Sequence, residues 1–320
     1  MGKEITSQLR NQMDMPIIMA PMFLISNPET VIQASWNGII GSFPTLNART
    51  GEILDEWMGR ITEEINEMKK NFPNRKIAPW AVNFIAHQSH NKRYEEDLKL
   101  IAKHEPPIVI TSLGDPSPVA KIVHEYGGIV LSDVIDVRFA KKAIEKGADG
   151  LILVSAGAGG HAGTYHPFAF IHEVKQFFDG PIILSGSISK GEDILAAQIV
   201  GADFVYMGTR FIPAIESSAV EEYKKMITTS SMQDIIYTQA FSGIHANYLI
   251  PSIQKAGIDL QSIPSKGKMS LSEAKAWKDI WSAGHGVGSI TEIQSITEIV
   301  QELKTQYMEA VSRIQQLAIT

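Results

Sequence analysis

The chain contains no cysteine, although it is 320 residues long. Disulfide bonds, thiolate metal ligands and cysteine nucleophiles are therefore excluded. A chain without cysteine is what we expect of a cytoplasmic protein. Long apolar runs are also missing, because no segment approaches 18 consecutive apolar residues, and so no membrane span is predicted. The amino-terminal residues carry both charge signs and have no apolar core, so no secretory signal is predicted either.

Positive charge is scarce as well, since 29 lysines and arginines face 35 aspartates and glutamates, for a net charge of −6. An acidic chain is not expected to bind nucleic acid or an anionic membrane surface. No metal site is predicted, because the one close histidine pair, His87 and His90, has no third ligand nearby in the sequence. We therefore expect the partners of this protein to be small molecules.

The middle of the chain alternates short apolar runs with longer amphipathic segments. Each apolar run is continuous, which is typical of a strand covered on both faces. The eight runs are Ile17–Met22, Gly38–Pro44, Trp80–Ile85, Ile108–Leu113, Gly128–Val134, Gly150–Ala156, Pro181–Ile188 and Phe204–Phe211. The predicted helices are Pro28–Trp36, Arg49–Asn71, Asn91–His104, Ser117–Tyr126, Asp136–Lys146, Pro167–Phe178, Ser189–Val200 and Ile215–Thr229. Eight such units predict an α/β fold of the (β/α)8 TIM-barrel type, with an open doubly wound sheet as the competing fold.

The regular alternation stops after Phe211. Residues 230–290 are rich in serine, glycine and glutamine, with helical stretches predicted near Met232–Tyr237 and Leu271–Ile280. One long amphipathic helix is predicted over Ile293–Leu317. We therefore predict a barrel over residues 1–229 and an appended, mostly helical C-terminal subdomain over residues 230–320. The last helix has two candidate partners, the barrel itself or a second copy of the chain in a homodimer.

The most informative segment is Gly157–Gly163, with the sequence GAGGHAG, which follows the sixth apolar run. Glycines leave room for a flat ligand and permit positive φ. His161, delivered on such a loop at the exit of a strand, is a candidate general base or hydrogen-bond donor. The alternative is a solvated histidine in a flexible turn. Tyr165 and His166 follow the loop and are candidate substrate contacts.

Two loops at the ends of the seventh and eighth runs each place a glycine beside a hydroxyl group. They are Ser185-Gly186-Ser187 and Met207-Gly208-Thr209. TIM barrels frequently bind phosphate with the loops that follow strands seven and eight, through backbone N–H groups and hydroxyl donors. The first run ends at the same face of a barrel, in Ala20-Pro21-Met22, so the ligand is predicted to be larger than phosphate alone. Flavin mononucleotide (FMN) fits this arrangement.

The ordered set of motifs between Pro16 and Ile290 resembles the nitronate monooxygenase family, formerly called 2-nitropropane dioxygenases. The motifs are Met19-Ala20-Pro21-Met22, Val82-Asn83-Phe84, Ala158-Gly159-Gly160-His161-Ala162-Gly163, Ser185-Gly186-Ser187 and Met207-Gly208-Thr209-Arg210-Phe211. This family consists of FMN-dependent TIM-barrel enzymes. The resemblance therefore implies a flavoprotein that oxidises nitronates or nitroalkanes with molecular oxygen.

The resemblance also implies a role for individual residues. His161 would be the base that takes the carbon proton of a nitroalkane, or would orient a nitronate. The implied cofactor contacts are Ala20, Pro21 and Met22 along the flavin ring, Asn83 as its hydrogen-bond partner, Gly159 and Gly160 where the ring approaches, and Ser185, Gly186, Ser187, Met207, Gly208 and Thr209 around the phosphate.

Three positions depart from the family pattern. Gly157 stands where many relatives carry an acidic residue, and Val154 stands where many have glutamine or aspartate. Asp133 stands at the end of the fifth run, where some relatives carry a lysine. A cation near a flavin stabilises the reduced, anionic ring, so an aspartate changes the chemistry expected there. These departures bear on the substrate more than on the cofactor.

Two other functions stay open from the sequence. The glycine–histidine loop and the phosphate loops are also similar to those of flavin-dependent enoyl-acyl carrier protein reductases, which use NAD(P)H. A phosphate- or flavin-binding barrel without redox activity is the second alternative, because the loops after the last two strands would suit it equally well.

Overall fold

The structure is a computed structural model that describes residues 2–269 and 276–317. Its strands are β1 Ile17–Met19, β2 Gly41–Pro44, β3 Trp80–Ile85, β4 Ile108–Ser112, β5 Ile129–Val134, β6 Gly150–Val154, β7 Gly160–His161, β8 Ile182–Ser185, β9 Phe204–Met207, β10 Ile235–Thr238 and β11 Ala246–Leu249. Its helices are α1 Gly2–Asn11, α2 Pro28–Trp36, α3 Gly51–Asn71, α4 Tyr94–His104, α5 Ser117–Glu125, α6 Val137–Glu145, α7 Pro167–Val174, α8 Gly191–Val200, α9 Glu221–Thr229, α10 Ile250–Lys255 and α11 Ile296–Leu317.

Eight of the strands form one parallel sheet in the order β1-β9-β8-β6-β5-β4-β3-β2. The sheet closes because Ile18 of β1 pairs in parallel with Ile40, the residue just before β2. The Ile40 N–H donates to the Ile17 carbonyl at 3.0 Å, and the Met19 N–H donates to the Ile40 carbonyl at 2.8 Å. The TIM barrel is thus confirmed, and the open doubly wound sheet is excluded.

The barrel forms where the sequence places strand-like runs and helix caps. All five residues of β6 are buried, as expected for a strand between a packed interior and a layer of helices. Asn27 caps α2 by accepting from the Thr30 N–H, while the Thr30 hydroxyl accepts from the Asn27 N–H. Asp136 caps α6 by accepting from the Phe139 N–H at 2.7 Å. These caps fix the loops that leave the carboxyl ends of the strands.

The predicted elements differ from the structure mainly at their ends. The strand β1 stops at Met19, so the motif Ala20–Met22 lies in the following loop. The strand β9 stops at Met207, and Thr209–Phe211 forms a single 3-10 turn. The helix α9 begins at Glu221 rather than Ile215. The amino-terminal helix α1 has no counterpart among the predicted elements.

The prediction of a helix near Met232–Tyr237 is wrong. Only Met232–Asp234 forms a 3-10 turn, and the chain then enters β10, which pairs antiparallel with β11. A pattern over six residues is too short to distinguish a helix from a strand. The strand forms here because β11, which follows after a turn, pairs with it. Of the helix predicted over Leu271–Ile280, residues 271–275 lie outside the described residues, and the described part is a turn.

The long helix α11 packs on the barrel, which was one of its two candidate partners. It contacts α8 and α2. Ile299 and Leu303 are buried in this contact, and the Tyr307 hydroxyl donates to Gln198 Oε1 of α8 at 2.7 Å. None of the helices in residues 2–269 and 276–317 combines the length and apolar character needed to cross a bilayer.

Candidate active site

A cavity of about 1430 Å³ opens at the carboxyl ends of the barrel strands. The ends of all eight barrel strands, or the loops that follow them, contribute to it, and so do Trp277, Ser282, Gly284 and Gly286, which lie between α10 and α11. The predicted site residues that line this cavity are Ala20, Pro21, Met22, Asn83, Gly159, Gly160, His161, Tyr165, Ser185, Gly186, Ser187, Gly208 and Thr209. The structure therefore brings together most of the residues singled out from the sequence.

Two predicted site residues lie elsewhere. The Met207 side chain is buried in the hydrophobic core of the barrel, because the last residue of β9 points into the packed layer. His166 caps α7 from the outside, with its Nδ1 atom accepting from the Phe168 N–H at 3.3 Å. Neither residue is among those that line the cavity. A direct contact of either side chain with a ligand is therefore not supported.

His161 lies on an ordered strand. Gly160 and His161 form β7, which pairs antiparallel with Asn247 and Ala246 of β11. The Asn247 side chain also donates from Nδ2 to the Ala158 carbonyl at 2.7 Å, just ahead of β7. The alternative of a solvated histidine in a flexible turn is therefore wrong. The hairpin that the sequence did not predict is the element that holds the histidine in place.

The His161 imidazole is kept neutral by its surroundings. Its Nε2 atom is buried without a hydrogen-bond partner, and its ring meets Trp277 edge to face with 5.3 Å between centroids. Burial lowers the pKa of His161 to about 4, with a further contribution from nearby His90. A neutral imidazole with a free nitrogen can accept a proton from a ligand or donate a hydrogen bond to it, according to its tautomer.

Glycines in the β6–β7 loop are required by packing between loops. A Cβ at Gly159 would lie 2.8 Å from the Gly284 nitrogen and 3.0 Å from Thr209 Oγ1. Gly157 has φ +81°, and a Cβ there would lie 2.2 Å from Ser187 Oγ. An acidic residue at Gly157 would therefore be strained, because side chains rarely adopt this φ and Ser187 would also have to move.

The two loops predicted to bind phosphate differ in how they use glycine. Gly186 and Ser187 both have positive φ, of 122° and 56°, a turn conformation that exposes successive backbone N–H groups. A Cβ at Gly186 would lie 2.6 Å from Ser155 Oγ, so this position also needs glycine. At Gly208 the nearest atom would be Ala20 Cβ at 3.6 Å. Gly208 is therefore the glycine that leaves open space on the cavity side.

The opposite wall carries a chain of polar side chains. Asn83 Nδ2 donates to Ser112 Oγ at 2.8 Å, and Ser112 Oγ donates to Asp133 Oδ2 at 2.5 Å. The other carboxyl oxygen, Asp133 Oδ1, is buried without a partner. Burial raises the pKa of Asp133 to about 6, against the lowering effect of the Ser112 hydrogen bond. The position where some relatives have a cation thus holds a carboxyl group whose pKa lies well above that of an ordinary aspartate.

Sequence reasoning missed three residues of the cavity wall. Ser112 and Tyr206 lie at or next to the ends of β4 and β9, and their position at a strand end was the available signal. Tyr206 has a buried hydroxyl without a partner. Trp277 lines the cavity beside His161. The sequence around Trp277 offers no comparable signal.

The histidine pair at the cavity mouth is bridged by a serine. Ser89 Oγ lies 2.7 Å from His87 Nδ1 and 3.0 Å from His90 Nδ1, and both histidines line the cavity. Within the described ranges, no group of three histidine, cysteine, aspartate or glutamate side chains could hold a metal ion. His90 contributes to the electrostatic surroundings of His161.

Comparison with known proteins gives a consistent result. The family model described as nitronate monooxygenase matches residues 9–306. The nitronate monooxygenase of Neurospora crassa is 24% identical, over 94% of this chain and 91% of its own. FabK from Thermotoga maritima has a TM-score of 0.78 at 22% identity over 98% of both chains. The nitroalkane oxidase from Streptomyces ansochromogenes has a TM-score of 0.77 at 20% identity, over 96% of this chain and 99% of its own.

The two solved structures support the barrel fold, and the family match spans nearly the whole chain. The match confirms the resemblance carried by the motifs of the strand ends. This chain belongs to the nitronate monooxygenase family and is an oxidoreductase enzyme.

Proposed function

We propose that this protein is an FMN-dependent oxidoreductase that oxidises nitronates and nitroalkanes with molecular oxygen, with His161 as the catalytic base. Membership of the family supports the reaction class. The observation that carries the residue assignment is the buried, unpartnered Nε2 atom of a neutral His161 in the wall of the large cavity. A base within reach of a bound carbon acid must be unprotonated before the reaction starts.

The residues of the cavity fit FMN. The volume of about 1430 Å³ exceeds the range of roughly 300–1,000 Å³ that is usual for small-ligand sites, so it has room for cofactor and substrate together. Gly186, Ser187, Gly208 and Thr209 would hold the phosphate, while Asn83 offers hydrogen bonding to the ring. When bound, FMN supplies a ring that takes electrons from the substrate and returns them to oxygen.

His161 would act differently on the two substrate forms. A nitroalkane must lose the proton on the carbon beside its nitro group, and Nε2 of His161 is the free nitrogen that can accept it. An imidazolium in this buried position is unfavourable on its own, but the nitronate anion formed next to it compensates the charge. A nitronate supplied as such needs no proton removal. We therefore expect nitronates to react faster than the parent nitroalkanes.

The reaction is tested by anaerobic mixing of the FMN-loaded protein with propyl-2-nitronate and, separately, with NADPH. Bleaching of the flavin absorbance by the nitronate, followed by oxygen uptake when air is admitted, is the expected result. Bleaching by NADPH alone would instead support the enoyl-acyl carrier protein reductase. A protein that takes up no flavin after incubation with FMN would contradict the cofactor and, with it, the proposed reaction.

A further inference from the structure

The polar chain on the Asn83 wall has a fixed hydrogen-bond direction. Asn83 Nδ2 donates to the Ile110 carbonyl at 3.1 Å as well as to Ser112 Oγ at 2.8 Å. Both hydrogens of this amide are therefore used within the protein. The amide oxygen of Asn83 is left to accept a hydrogen bond from a ligand in the cavity.

The chain of hydrogen bonds continues from Ser112 to Asp133 with the same donor-to-acceptor order. Ser112 Oγ receives a hydrogen bond from Asn83, so its own hydrogen goes to Asp133 Oδ2. Because Oδ2 is already an acceptor, a proton bound by this carboxyl group belongs on Oδ1. That oxygen is buried without a partner in the cavity wall. A largely buried carboxylate without a paired cation is unfavourable, and protonation relieves this cost.

The groups around Asp133 do not supply a counter-charge. The neighbouring strand β6 places Ile152 opposite Asp133, and β4 contributes Ser112. From β9 comes Tyr206, whose hydroxyl stays protonated because burial, and then the charge of Asp133, raises the pKa of Tyr206 well above its usual range. The remaining charged and titratable groups of the cavity wall include Lys142, Lys146, Asp115, Asp136, His87, His90, His161 and His245. Lys146 is paired with Asp115 at 3.1 Å, and neither lysine is a cause of the raised pKa of Asp133.

We infer that Asp133 binds its ligand as a neutral carboxylic acid and that, beside the Asn83 acceptor, its Oδ1–H donates to the pyrimidine edge of a flavin. That edge carries an N–H group between two carbonyl oxygens, so it matches an acceptor placed beside a donor. The inference rests on the proposed function in requiring a flavin. Asp133 would then recognise the ring as a neutral hydrogen-bond donor. A lysine at this position would instead be a cation that stabilises a negative charge on the ring.

Flavin binding then takes up a proton. An ionised Asp133 would face a carbonyl oxygen with a negative charge, so the ring binds worst to the ionised protein. Burial raises the pKa of Asp133 to about 6 in the ligand-free protein. The dissociation constant for the ring is therefore expected to rise by about 10- to 100-fold between pH 5 and pH 8, as one proton must be recovered for binding.

The test uses riboflavin, which has the same ring but no phosphate group that titrates. Its dissociation constant is measured by fluorescence quenching from pH 5 to pH 8 for the wild type, Asp133→Asn and His90→Gln. The side-chain amide introduced by Asp133→Asn donates at every pH, so the affinity of that variant should vary less than threefold. The His90→Gln variant should keep the wild-type pH dependence, since the titrating group is still present.

A second measurement covers the case in which riboflavin binds too weakly. Calorimetric titration with FMN, in two buffers of different ionisation heat at pH 7.5, reports the protons taken up on binding. The wild type should take up about one proton more than Asp133→Asn, with phosphate titration common to both. A pH-independent wild type, an unchanged pH dependence in Asp133→Asn, or equal proton uptake would overturn the inference. Absence of flavin binding at every pH would contradict the proposed function instead.

Discussion

The two walls of the cavity contain titratable groups whose pKa values burial shifts in opposite directions. On one wall burial lowers the pKa of His161 to about 4, and the imidazole is neutral because it has lost a proton. On the other wall burial raises the pKa of Asp133 to about 6, so the carboxyl group of the ligand-free protein keeps its proton to a higher pH than an ordinary aspartate and is neutral below about pH 6. Each group has an unpartnered polar atom in the cavity wall. The comparison teaches that this site offers hydrogen-bonding groups while limiting the fixed charge of the protein. Charge that develops on the bound ligands then dominates the electrostatics of the site.

The histidine wall is expected to give the largest effect. His161→Ala removes the proposed base, so turnover of nitroalkanes should fall about 10²- to 10⁴-fold while FMN stays bound. The wild-type rate should itself decline as the pH falls towards the His161 pKa of about 4, because the protonated imidazole accepts no proton. Steady-state oxygen uptake measures both effects. His172→Ala, on the exposed side of α7, is the matched control; equal losses in the two variants would exclude a specific role for His161.

On the aspartate wall, we expect ionisation of Asp133 to lower the free energy of unfolding. The pKa of Asp133 is about 6 in the folded protein and near 3.8 when unfolded, so folding stability falls as the pH rises between these values. Without ligand, Asp133→Asn should be more stable than the wild type by about 3 kcal/mol at pH 8, and by less than about 1 kcal/mol at pH 4. Urea unfolding measures the difference. A gain of the same size at both pH values would show that ionisation of Asp133 is not its cause.

The glycines that separate the walls allow a third comparison. Gly159→Ala places a Cβ against the Gly284 backbone, and relieving that contact should lower the free energy of unfolding by about 1–3 kcal/mol. Gly208→Ala is the matched variant, because its Cβ has ordinary van der Waals distances to Ala20 and Met22. It should leave stability unchanged and weaken FMN binding by crowding the phosphate. Equal stability of the two variants would contradict the packing role of Gly159.

The smallest effect is expected from Ser112→Ala. Its hydroxyl donates to Asp133 Oδ2 and thereby lowers the Asp133 pKa, so removing it should raise that pKa further. The pH at which the stability of the ligand-free protein falls should move upward, and stability should decrease by roughly 1 kcal/mol at pH 5. Urea unfolding between pH 4 and pH 8 measures the shift. A midpoint that moves downward would mean that the hydroxyl does not donate to Asp133.

Much of the barrel could be predicted from the sequence because its signals are local. A continuous apolar run such as Gly150–Ala156 identifies a buried strand by itself, and the eight runs together specify a barrel. The barrel in turn places His161, Gly186 and Gly208 at one end, because active sites lie at the carboxyl ends of the strands. Those inferences needed no knowledge of which distant segments touch.

The remainder depends on contacts between distant segments. The strand β10 is stabilised by pairing with β11, which its four-residue sequence does not reveal by itself. The role of Gly159 is set by Gly284, and the position of Trp277 by the appended segment. The raised pKa of Asp133 follows from its burial between neighbouring strands, whereas the sequence shows only an acidic residue at a strand end. Such properties belong to the assembled cavity.

The charge of Arg210 is already paired within the protein, although this residue lies beside the loop predicted to bind phosphate. It directly follows Thr209, yet its buried guanidinium donates to Glu302 Oε2 at 2.7 Å and to Gln294 Oε1 at 2.8 Å. The positive charge of Arg210 is thus neutralised by Glu302 of the final helix in the ligand-free protein. With this partner, Arg210 adds no free positive charge beside the loop where we propose that phosphate binds. The final helix sets this charge balance, although its described residues form no part of the cavity wall.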